Sequence, residues 1–263
     1  MPEQSWTAVL RPAEGIRWGR VIALAHSGAG PNALLPLLRR LPAGLEVVGV
    51  TLPGRERRFG EGLDALDDPG AAVAAVLEEM RAAAPLPTVF FGHSMGASFA
   101  AALALAAQEM CQGLVLSAQP TPESRAGQNE DWTEEKLLDI LKLGGGTPDE
   151  ILGHRELREH LLAVLRCDLR LSQRLAVGTA GRKFPVAPVV MGGADDELVP
   201  RGELDLWSVH TGIRPRLFPG GHFYLLDEAN MDSVAAEIAA GFPVQARAGR
   251  PARLAVVDSH GPG

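Results

Sequence analysis

The sequence predicts an α/β fold, a mostly parallel sheet flanked by helices with a helical lid inserted late in the chain. Short apolar runs bounded by Gly and Pro alternate with longer Ala- and Leu-rich helical patterns, and the alternation lapses between Pro120 and Pro188. The 263 residues, without a visible repeat, fit one large domain over 1–243.

The candidate strands are 20–25, 45–52, 88–92, 113–117, 187–192 and 214–218, and several are continuously apolar, as strands covered on both faces should be. Helical patterns occupy 32–40, 69–83, 97–110 and 231–241. The small residues of 97–110 allow that helix to lie close against the sheet. The lid, roughly residues 120–186, holds helix-like segments without a strong strand. Leu157, Leu161, Leu162, Leu165 and Leu169 recur at helical spacing, and 121–131 and 144–147 read as flexible joints. The leucines suit either an ordinary core or a lid face. Residues 244–263 read as a disordered tail.

Composition narrows function by exclusion. Hydrophobic residues at 46% and charged residues at 22% are ordinary for a globular chain. A formal net charge of -7 argues against binding nucleic acid through its phosphates. Cys111 and Cys167 lack zinc or redox spacing and read as buried small hydrophobes. With neither a signal-peptide pattern nor a membrane-length apolar run, a cytoplasmic location is expected, with no membrane partner and no metal or cofactor.

The chemistry centres on Gly92-His93-Ser94-Met95-Gly96, which follows an apolar strand and precedes an Ala-rich helix. That is the context in which G-x-S-x-G forms a nucleophile elbow, so the α/β class sharpens to an α/β-hydrolase fold with Ser94 as nucleophile. A serine hydroxyl needs a base, and in this fold the partners follow in the order Ser, Asp or Glu, His. Asp195-Asp196-Glu197 and Gly220-Gly221-His222 follow the last two candidate strands. His222 is the expected base. Asp196 is the expected acid, from its separation to Leu198-Val199-Pro200, with Asp195 as a turn residue. The oxyanion hole is expected from the N–H of Met95 and a second N–H in His26-Ser27-Gly28-Ala29-Gly30, Ser27 first and Gly28 next. His93 is expected to support the elbow. His154, His160 and His210 read as helix or surface residues, and His260 lies in the tail.

Several segments resemble the type II thioesterases that accompany polyketide and nonribosomal peptide synthases. They are His26-Ser27-Gly28-Ala29-Gly30, Leu52-Pro53-Gly54-Arg55-Glu56, Leu165-Arg166-Cys167-Asp168 and Gly220-Gly221-His222-Phe223-Tyr224-Leu225, within a likeness running from Gly19 to Pro243. The resemblance implies release of acyl groups from the phosphopantetheine arm of acyl or peptidyl carrier protein domains, clearing stalled or wrongly primed synthases. The enzyme is expected to act as a monomer. The chain departs from the family at Asn32-Ala33-Leu34-Leu35-Pro36-Leu37, where aromatic residues are common. Arg55, Arg57 and Arg58 fit either a solvated charge run or a structural role in their loop. Without the resemblance, the same residues suit a general carboxylesterase or lipase, or a hydrolase-like binding protein.

Overall fold

Apolar side chains alternating between two sides make the strand runs into a central sheet. The computed structural model describes residues 4–128, 131–144 and 149–243. Its strands are β1 Thr7–Arg11, β2 Gly19–Leu24, β3 Leu45–Val50, β4 Thr88–His93, β5 Cys111–Ser117, β6 Val189–Gly193 and β7 Arg216–Phe218. They lie in the order β1-β3-β2-β4-β5-β6-β7, with β1 antiparallel to β3 and every other neighbouring pair parallel.

The helices are α1 Leu35–Leu38, α2 Pro69–Ala82, α3 Met95–Ala106, α4 Pro122–Gly127, α5 Glu134–Gly144, α6 Asp149–Gly153, α7 Arg155–Thr179, α8 Arg201–Thr211 and α9 Glu228–Ala240. Local chemistry sets their ends. At α2 the Asp68 side chain accepts the Ala71 N–H at 3.0 Å, with Pro69 beginning the helix. Helix α8 stops at Gly212, whose φ of 74° is left-handed.

The two faces of the sheet bury separate cores. Ile22, Leu24, Phe90, Leu114 and Leu116 pack on one side with Val76 of α2, Phe99 and Leu103 of α3, Leu171 and Leu175 of α7, and Trp207 of α8. Val21, Ala23, Val89, Phe91 and Val115 face the other side, against Leu37 and Leu38 of α1 and Val234 and Ile238 of α9. Each buried Val, Leu, Ile or Phe among them contributes about 1.5–3 kcal/mol relative to exposure.

Several boundaries differ from the sequence reading. Strand β1 was not foreseen, because a partly exposed edge strand of five residues has little periodicity. The 32–40 pattern resolves into a 3₁₀ turn, Pro31–Leu34, followed by the single turn of α1. Most of the joint expected at 121–131 is helix α4, capped where the Thr121 side chain accepts the Ser124 N–H at 3.2 Å. Of the second joint, Gly144 ends α5, and 145–147 lie outside the described residues, as do 244–263 with His260. Helix α8 was also missed.

Helices α4 to α7 fill the interval between β5 and β6. Trp132, Leu137, Leu162 and Leu165 form a small core of their own, with Leu138, Ile140, Leu141 and Leu169 against it. Helix α7 therefore serves both alternatives for its leucines. Its first half packs on the inserted segment and its second half on the main core.

Candidate active site

Parallel strands put their carboxyl ends on one edge, and the loops following β2, β4, β6 and β7 converge there. Between β4 and α3 the chain turns at Ser94, with φ 55° and ψ −124°, a conformation that non-glycine residues rarely adopt. The Ser94 N–H donates to Ser117 O at 2.8 Å, which braces the turn against β5. The flanking glycines are required by close approach. A Cβ on Gly92 would collide with Gly96 O, and one on Gly96 with the carbonyl oxygens of Leu24 and Ala25.

Ser94 opens onto a cavity of about 350 Å³ that Ser27, Gly28, Met95 and His222 also line. Behind His222 lies Asp196. His222 Nδ1 and Asp196 Oδ2 are 2.8 Å apart, both residues are buried, and Asp196 Oδ1 accepts the N–H groups of Leu198 and Val199 at 2.9 and 3.0 Å. Neighbouring Asp195 is exposed. The structure thus brings Ser94, Met95, Ser27, Gly28 and His222 to one cavity, with Asp196 bonded to His222 from the protein side.

Other imidazoles pack around that ring. The rings of His93 and His222 lie 4.9 Å apart, and His26 meets Phe223 edge-on at 4.6 Å. Burial, followed by the nearby His222 and His26, holds the His93 imidazole well below its ordinary range. Burial, followed by His222 and Arg55, lowers His26 to about 3. Both rings are therefore neutral at pH 7. His93 Nδ1 lies 2.9 Å from Ser117 Oγ, which lies 2.7 Å from the Tyr224 hydroxyl, so a buried polar chain runs beneath the elbow.

The helices between β5 and β6 supply the rest of the cavity. Trp132, Ile140, Leu141, Leu161, Leu165 and Leu169 form an apolar wall, whereas Gln119, Arg125, Gln128 and Ser172 add polar groups. The Gln119 amide donates to Ser98 Oγ at 2.8 Å, and Ser98 Oγ lies 3.0 Å from Ser172 Oγ.

The arginines after β3 are structural rather than solvated. Arg55 and Arg58 are buried and Arg57 is half-buried. Arg58 pairs with Glu61 at 2.6 Å and lies 4.1 Å from the Trp6 ring centre. Arg55 pairs with Asp168 of α7. Sequence reasoning assigned no role to Asp168, His26, Gln119 or Ser172. Arg55 and Asp168 did stand in two of the family-like segments, but nothing in the spacing pairs residues so far apart. One smaller reading also changes, since Cys167 is only half-buried. His160 lies on helix α7 as expected, with its Nε2 2.8 Å from the Gly54 carbonyl oxygen and its ring against Phe59.

Known proteins share this arrangement of chain. The thioesterase domain family matches residues 20–242. A probable cadicidin biosynthesis thioesterase of Streptomyces griseus is 30% identical over 240 residues, covering 89% of this chain and 65% of that protein. The medium-chain S-acyl fatty acid synthase thioesterase of Homo sapiens is 28% identical over 201 residues, 71% of this chain and 73% of the relative. Among solved structures, the type II thioesterase BorB from the borrelidin biosynthetic cluster has a TM-score of 0.68 and 29% identity, covering 91% of this chain and 99% of BorB. The chain thus spans slightly less than two thirds of the Streptomyces griseus protein and nearly all of BorB. On the match to residues 20–242 and the likeness to these enzymes, the chain belongs to the thioesterase family and has its α/β-hydrolase fold.

Proposed function

We propose that the chain is a type II thioesterase that hydrolyses acyl thioesters held on the phosphopantetheine arm of carrier protein domains in polyketide or nonribosomal peptide synthesis. The observation that carries the chemistry is the 2.8 Å His222–Asp196 bond, with His222 and Ser94 lining one cavity. The carrier-bound substrate is supported by the relatives' biosynthetic setting. In this reading the enzyme acts as a monomer, needs no cofactor of its own and edits stalled or aberrant acyl groups. Among the described residues no helix is long and apolar enough to cross a membrane.

Ser94 Oγ attacks the thioester carbonyl while His222 Nε2 takes its proton. Asp196, held by two backbone N–H groups, keeps the imidazole in the required tautomer and stabilises the imidazolium. The N–H groups of Ser27 and Met95 receive the developing oxyanion, Met95 from the first turn of α3, where the helix dipole favours negative charge. Gly28 was the alternative donor, and its N–H is already given to Asp168 at 2.7 Å. Collapse expels the thiolate, which takes the proton from His222. A water deprotonated by His222 then releases the acid and restores Ser94.

The test is hydrolysis of a panel of acyl carrier proteins, read by mass, with matched thioesters and oxygen esters of small thiols and alcohols. Carrier thioesters are expected to be the preferred substrates, and Ser94→Ala should lower kcat by at least about 10³-fold. Undiminished turnover in the variant would remove Ser94 from the mechanism. A strong preference for oxygen esters would make the chain an esterase.

A further inference from the structure

The loop that carries Ser27 is gripped by a carboxylate with no part in the bond-making steps. Asp168, fully buried in the middle of α7, accepts the Gly28 N–H on Oδ2 at 2.7 Å. Both of its oxygens also receive the guanidinium of Arg55, at 2.6 and 2.7 Å. Arg55 is itself buried, and it donates further to Pro53 O at 3.3 and 3.2 Å and to Ala29 O at 3.5 Å. One ion pair therefore joins the loop after β2, the loop after β3 and the helix that covers the cavity.

Two details point beyond simple fastening. The group gripped is the peptide linking Ser27 to Gly28, where Gly28 holds a left-handed φ of +83°. Fixing that peptide fixes the turn of the chain at Ser27 and withdraws the Gly28 N–H from the cavity. Helix α7 also lines the cavity through Leu161, Leu165 and Leu169, so Asp168 reaches the loop only while the helix is seated there. We infer that Asp168 is a positioning residue for the oxyanion hole, oriented by Arg55, and that the hole is aligned only when α7 is docked over the substrate. The inference rests on the proposed role of Ser27.

Asp168→Asn preserves size but removes the charge and turns an NH₂ group toward either Gly28 or Arg55. The readouts are thioester kinetics, affinity for a trifluoromethyl ketone analogue of the acyl thioester, and affinity for the matching thioether. Ser94 converts the ketone to a tetrahedral oxyanion adduct, whereas the thioether forms no oxyanion. A misaligned donor should lower kcat by about 10²-fold and weaken the ketone in parallel, with KM and thioether affinity nearly unchanged. Arg55→Lys keeps a charge without the planar fork and should show the same pattern at about tenfold. This second variant decides the matter if Asp168→Asn does not fold. Folded variants with a lower Tm but wild-type kcat and ketone affinity would reduce the ion pair to a purely structural tie. A wild-type protein that neither hydrolyses thioesters nor binds the ketone would instead refute the proposed function.

Discussion

Ser94 occupies backbone space that costs a non-glycine residue about 1–3 kcal/mol, and its surroundings hold it there. Its N–H is tied to β5, and Gly92 and Gly96 let strand, turn and helix pack with their backbones in contact. At Gly96 the obstruction to a side chain is backbone of β2 and the loop after it, which has little freedom to retreat. Gly96→Ala should therefore destabilise by about 3 kcal/mol or more. The urea midpoint would read this, and activity per folded molecule should fall as well because the elbow must shift. An unchanged midpoint would mean that the turn is looser than its contacts indicate. The elbow was legible in the sequence because five consecutive residues specify it. The contact between Asp168 and Gly28 was not, since it joins residues 140 positions apart and only the folded chain brings them together.

Among the elements, α7 divides its length between two cores, and the division separates stability from substrate handling. Leu171 belongs to the main core, whereas Leu165 packs with Trp132, Leu137 and Leu162 and also lines the cavity. Either Leu→Ala change leaves a cavity, within a usual range of about 2–5 kcal/mol. Leu171→Ala should lower the global denaturation midpoint with little change in acyl preference. Leu165→Ala should shift preference toward bulkier or longer acyl groups while taking less from the global midpoint. A chain-length series in both variants, beside their denaturation curves, checks the contrast. The same physics explains which elements could be read in advance. Strands β2 to β5 are buried on both faces and show as apolar runs. The partly exposed β1 gives no comparable signal, whereas the three-residue β7 falls inside the expected 214–218 run, and α4 is hidden in a segment rich in Pro, Ser and Gly.

For the molecule as a whole, neutral imidazoles beneath the site link stability to pH. His26 has its folded pKa lowered to about 3, and His93 is also held well below 6.5, by burial first and by neighbouring histidines second. An unfolded chain protonates both residues near pH 6.5. Between that value and the folded pKa the unfolded state binds more protons, so stability rises with pH across this window and is lost as pH falls through it. For His26 alone the loss from pH 6.5 to pH 4.5 is about 2 kcal/mol, approaching about 1.4 kcal/mol per pH unit near pH 5. Carboxylates titrating in the same range add to the total, so the test is a difference. Urea denaturation of wild type and His26→Gln at half-unit steps from pH 4.5 to 7 should give a shallower slope in the variant, by nearly one proton at pH 5. The variant should also gain relative stability as the solution is acidified. Parallel curves would mean that His26 takes up its proton in the folded state at an ordinary pH, and that the ring cluster beside His222 carries positive charge instead of excluding it.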